Sequence, residues 1–100
     1  MTAPGGGEGV AERALALLGE LPGEVYLRLE AGGLRLRNLP VRLARGEAGT
    51  AGGEDALKLV FVGEAMLALS RLRSAERDAD GRVVLASADG VRVLFGPRPW

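Results

Sequence analysis

The sequence predicts an α+β domain: an antiparallel sheet of about five or six strands, two tight hairpins plus one or two connecting strands, with two helices packed on one face. Three observations lead there. Two stretches alternate apolar and polar residues around Gly32-Gly33 and Asp89-Gly90, the pattern of hairpins. Two others, at 10–18 and 64–78, space their apolar residues by three and four, the period of a helix. Apolar residues make up 47% of the chain and aromatics only 4%, so one aliphatic core of Leu, Val and Ala is expected.

Residues 1–9 carry four glycines and a proline and are expected as a flexible tail. From Val10, Ala14, Leu17, Leu18 and Leu21 fall near one stripe, and Gly19 and Pro22-Gly23 supply stop signals for a first helix. Val25, Leu27 and Leu29 then alternate with Tyr26, Arg28 and Glu30. After Gly32-Gly33, Leu34 and Leu36 alternate with Arg35 and Arg37. A two-residue glycine turn, with positive φ at both positions, sets Leu29 against Leu36, Glu30 against Arg35 and Arg28 against Arg37.

Pro40 cannot donate to a ladder and marks a break or an edge. Val41, Leu43, Arg42 and Arg45 suggest a third strand, GEAGTAGGED at 46–55 a flexible loop, and LKLVFV at 57–62 a buried strand. Ala65, Ala68, Leu69, Leu72 and Ala75 sit at helical spacing among strong helix formers, so 64–78 is expected as the second helix, ended by Gly81. A two-residue turn at Asp89-Gly90 would set Ala86 against Val93 and Val84 against Phe95. The domain spans 10–96, and 97–100 is an extended, proline-fixed tail. A shift of 57 positions lays Leu15 on Leu72 and Gly33 on Gly90, which raises the possibility of a duplicated helix-hairpin unit.

Thirteen basic residues balance thirteen acidic ones, so a polyanion site needs local clustering rather than global excess. The chain has no Cys and no His, which removes the disulfide framework, thiolate metal sites, cysteine nucleophiles and the commonest general base. A catalytic role is not expected, and no cofactor is implied. A bias to Arg over Lys, with abundant Ala and Gly, suggests a GC-rich, heat-adapted bacterial source. The longest apolar runs are five residues, too short for a membrane span, and no signal peptide is visible, so a cytoplasmic location is expected.

Four local patterns remain. Arg28, Arg35, Arg37, Arg42 and Arg45 stand against Glu30 alone between 28 and 45, and Tyr26 shares that face as a platform for stacking a base. Nucleic acid or another polyanion is therefore one possible partner. The acids Glu76, Asp78 and Asp80 before Gly81 echo the start of a calcium loop but lack its closing Glu, and a plain turn is preferred. The second hairpin is apolar on both faces, so Val83, Leu85 and Leu94, with Arg92 and Trp100, are expected at a homodimer interface. The terminal PRPW segment suits either docking in an aromatic groove or packing back on its own domain. The leading expectation is a non-catalytic module that self-associates and binds a protein or small ligand.

Overall fold

The computed structural model describes residues 9–100. The flexible tail expected over 1–9 lies, but for Gly9, outside the described residues. Among these residues one helix, α1 (Val10–Gly19), precedes seven strands: β1 (Glu24–Ala31), β2 (Leu34–Ala51), β3 (Glu54–Phe61), β4 (Met66–Leu69), β5 (Leu72–Arg77), β6 (Val83–Ser87) and β7 (Arg92–Gly96). They form one antiparallel sheet in the order β4-β3-β2-β1-β7-β6-β5. Its two end strands, β4 and β5, follow one another in the chain, so the sheet curls into a half-barrel with α1 against its concave side.

The expected sheet of five or six strands with two helices is corrected in two places. Residues 64–78 are not helical but form β4 and β5. Within Met66–Leu69 the alternation is that of a strand: Leu67 and Leu69 face Leu59 and Leu57 on the core side, and Met66 and Ala68 face away. Arg71 then takes a left-handed φ of 55°, and a register shift falls between Leu72 and Ser74. These two irregularities bring Leu69, Leu72 and Ala75 onto the core side at intervals of three, which imitates a helical stripe. Helix propensity here yields to pairing with β3 and β6, as a weak local preference does against tertiary burial. The suggested duplication fails with it, because α1 would overlie two strands.

The second correction is β2. GEAGTA, expected inside a flexible loop, is its second half and pairs with β3 from Gly46↔Leu59 to Ala51↔Glu54. The turn shrinks to Gly52-Gly53, with φ of 62° and 83°, the positive pair a two-residue hairpin wants. Gly46 is small for a reason of packing: a Cβ there would lie 2.4 Å from the Leu15 Cδ2 of α1 and 3.2 Å from the Leu59 Cδ2.

In the first hairpin Leu29 faces Leu36 and Glu30 faces Arg35, as expected. Of its two turn glycines only Gly32 has a positive φ, 59°. The pairing of Arg28 with Arg37 gives way to a bulge, where Arg37 and Asn38 together oppose Arg28 and Asn38 takes a φ of 55°.

In the second hairpin the turn is longer than two residues. Ser87 Oγ accepts the backbone N–H groups of Asp89 (3.2 Å) and Val91 (3.3 Å), and the Ser87 N–H donates to the Val91 carbonyl at 2.9 Å. The register becomes Val83↔Phe95 and Leu85↔Val93. A shift of one residue exchanges the faces of a strand, so Val83 and Leu85 join Val93 and Phe95 in the core, each at most 1% exposed.

That core also holds Val25, Leu27, Leu57, Leu59, Phe61, Leu69 and Leu72, closed by Ala11, Ala14 and Leu18 of α1. Phe61 and Phe95 meet at 6.3 Å between ring centres. Asp55 accepts the first free N–H of α1, from Val10 at 2.6 Å, and the Arg13 Nε caps the Ala75 carbonyl at 2.8 Å.

Candidate functional site

The two halves of β2 have different partners: Leu34 to Arg42 pairs with β1 and Leu43 to Ala51 with β3. The first half has no second partner, because β3 runs from Phe61, opposite Leu43, toward the far end. Leu34, Leu36 and Leu39 share a face with Ala31, Leu29 and Leu27, since they are their cross-strand partners. This is the face that is core elsewhere. Helix α1 lies over β5, β6, β3 and the Gly46 region of β2 and does not reach it. The three leucines therefore remain 55%, 42% and 46% exposed.

Another exposed apolar side chain stands at the β3–β4 turn, opposite Arg42. Val62, 62% exposed, donates its N–H to the Arg42 carbonyl at 2.8 Å. With Leu39, Pro40 and Val41 it lines an open groove of about 370 Å³, flanked by Glu24 and Arg42. Among the described residues, three of the five large exposed apolar side chains lie in the leucine row; Val62 and Met66 are the others. Apolar alternation around Gly32-Gly33 reveals this row in the sequence, yet identical alternation marks a buried strand. Exposure was the missing information.

The arginines point to the opposite face of the same hairpin and are not equivalent. Arg28 is half-buried and bridges Glu30 at 2.7 Å, while Arg92 reaches the same carboxylate at 3.3 Å. One acid thus neutralises two arginines. Arg35, Arg37 and Arg42 are exposed and have no ion-pair partner among the described residues. Tyr26 lies on that face too, between Pro40 and Gly96, and is half-buried. The structure brings the five residues of the expected polyanion site onto one face but leaves three arginines free.

The terminal segment crosses this face. Asn38 Oδ1 accepts the Trp100 N–H at 2.7 Å, and its Nδ2 donates to the Trp100 carbonyl at 3.4 Å. The Trp100 ring lies 4.7 Å from the Arg82 guanidinium carbon and abuts Gly96, where a Cβ would sit 3.4 Å from it. Of the two readings of PRPW, packing back is the one observed.

The expected interface residues are placed elsewhere. Val83 and Leu85 are wholly buried, and Leu94 is 7% exposed, so none of the three presents a surface. Arg92 is exposed beside Glu30, and Trp100 is held by Asn38. For Val83 and Leu85 the physical reason is the register shift at Ser87, which turns β6 over. The three acids of the calcium-like pattern are also engaged. Glu76 faces Arg13 at 3.7 Å and Asp80 faces Arg82 at 3.5 Å. The Asp78 Oδ1 accepts the N–H groups of Asp80 and Arg82, both at 2.9 Å, and so fixes the β5–β6 turn.

No protein-family model and no curated protein matches the chain. Among solved structures, the crystal structure of the Bacillus subtilis YojF protein is similar, with a TM-score of 0.71 and 19% identity over 91% of this chain and 93% of that one. At that identity the likeness shows a shared fold, which among the described residues of this chain is a curled antiparallel sheet with one short helix.

Proposed function

We propose that this chain is a non-catalytic docking module, and that its working surface is the strip Leu34, Leu36 and Leu39. The observation that carries the reading is their concentration: three of the five large exposed apolar side chains among the described residues share one face of one hairpin. Single exposed leucines are ordinary on any protein, whereas a continuous apolar row beside an open groove is what another polypeptide covers. The absence of His and Cys from the sequence supports the non-catalytic part.

The test is a photo-crosslinking residue at Leu36, with one at Arg45 as a control on the same strand. The expected result is a discrete covalent adduct from Leu36 and none from Arg45. No adduct at either position, or equal adducts at both, refutes the reading.

A second reading is polyanion binding on the opposite face, favoured by the unpaired Arg35, Arg37 and Arg42 near Tyr26. It requires binding to single-stranded DNA that weakens steeply with salt, with a log–log slope that falls by about one for each phosphate-contacting arginine replaced by Gln. A slope indifferent to all three rejects it.

A further inference from the structure

We propose that the outer face of the β1–β2 hairpin and the folded-back end of the chain together bind a single-stranded nucleic acid. The inference rests on the polyanion reading above, names its ligand, and adds Arg82, Arg98 and Trp100 to the site.

A chain of balanced charge can still carry one basic face, and here the strand register produces it. Glu24, Tyr26, Arg28 and Glu30 alternate with the buried residues of β1. Their cross-strand partners Arg42 and Arg35 on β2, and Arg92 on β7, share their side, and Arg37 joins them at the bulge. Five arginines on these strands thus face two acids, and Glu30 is already divided between Arg28 and Arg92. The excess is a local positive potential of the kind that phosphates neutralise.

Charge alone suits any polyanion, and the aromatic rings choose among them. Gly96 is the cross-strand partner of Tyr26, and the Trp100 Cη2 lies 3.4 Å from where a Gly96 Cβ would point. Tyr26 and Trp100 therefore occupy adjacent positions on the basic face, and both are half-buried. The other two aromatic residues, Phe61 and Phe95, belong to the core. Every aromatic outside the core thus stands among these arginines. Asn38 holds the Trp100 backbone by two bonds, so the ring is placed before a ligand arrives and less order is lost on binding. Arg82 stacks on that ring, 4.7 Å from its centre. Arg98, exposed and without an ion-pair partner among the described residues, lines an open cleft of about 230 Å³ with Arg82 and Asp80.

An acidic peptide offers carboxylates to the arginines but no base to the rings. A duplex offers phosphates but keeps its bases paired and stacked inside. A single strand presents an unpaired base beside each phosphate, which matches arginines interleaved with rings.

The experiment is fluorescence anisotropy of a short labelled oligothymidylate at low salt, run beside the emission of Trp100, the chain's one tryptophan. The expected result is saturable binding that quenches Trp100. Trp100→Leu and Tyr26→Leu each weaken it about tenfold with an unchanged salt slope, whereas Trp100→Phe keeps a ring and most of the affinity. Arg98→Gln lowers the slope by about one, and its exposed position keeps the proposal testable where a ring variant unfolds. The competitors are inorganic polyphosphate, an oligothymidylate–oligoadenylate duplex and polyglutamate.

Polyphosphate that competes as well as the oligonucleotide, or an affinity indifferent to Trp100→Leu, overturns the nucleic-acid inference and leaves the polyanion reading in place. Equal binding of the duplex overturns the single-stranded ligand. A preference for polyglutamate overturns it in favour of an acidic protein. No binding to any of these probes overturns the inference and the polyanion reading together.

Discussion

Replacing Gly46 with Ala tests how α1 is seated on the sheet. The added methyl would lie 2.4 Å from the Leu15 Cδ2 and 3.2 Å from the Leu59 Cδ2. Carbon atoms in ordinary contact stay about 3.5–4.0 Å apart, so Leu15 must give by about an ångström or more. It can turn its half-buried side chain outward or lift α1, and either route loses packing over Ala11, Ala14 and Leu18. Overpacking of this kind costs about 1–3 kcal/mol. Alanine in a strand interior recovers about 0.5–1 kcal/mol relative to glycine. The net expectation is a loss of about 1–2 kcal/mol, which in a domain of this size lowers Tm by about 5–15 °C.

Thermal melts followed by circular dichroism measure it, and a cycle with Leu15→Ala assigns the cause. Removing the Leu15 methyls takes away the clash, so the double variant should be more stable than the sum of the two losses predicts, by about 1 kcal/mol. A neutral or stabilising Gly46→Ala, or strict additivity in the cycle, refutes the proposed close approach.

Other sites give sharper contrasts. Leu85→Ala should cost about 2–5 kcal/mol in denaturant unfolding because it opens a hole in a fully buried site, whereas Leu36→Ala in dilute protein should stay within about 0.5 kcal/mol; equal effects would put Leu85 back on the surface. Asp78→Ala leaves the Asp80 and Arg82 N–H groups of the β5–β6 turn without their acceptor and should cost about 1–2 kcal/mol, read from the same unfolding curves. Asn38→Gly keeps the left-handed backbone but removes both bonds to Trp100, the chain's one tryptophan. Its emission should shift to the red and quench more readily, with the melt nearly unchanged, and an unaltered spectrum would show that Asn38 does not hold the segment.

Local rules were most reliable where two of them agreed. The first hairpin was legible because alternation and turn chemistry specify one register, and Leu29↔Leu36 and Glu30↔Arg35 follow. The first helix was legible because its apolar stripe and its stop signals coincide. The strands β4 and β5 were not, because Leu69, Leu72 and Ala75 stand three apart among good helix formers. Nothing local announces that Arg71 turns left-handed and that the ladder slips at Leu72. The second half of β2 was hidden for the opposite reason: GEAGTA is poor in strand formers and is held extended by β3 and by Leu15 over Gly46.

The candidate site divides along the same line. The sequence by itself determined a single aliphatic domain without histidine or cysteine chemistry, and it marked the row of leucines and arginines along 34–42. Those features depend on residue type and period, which are properties of the chain alone. Which leucines are core and which are surface was decided only by the tertiary structure. The Ser87 turn slips one register and buries Val83 and Leu85, and the seat of α1 leaves Leu34, Leu36 and Leu39 uncovered. Burial is a relation between segments distant in the chain, and alternation is the same whether or not anything packs against it.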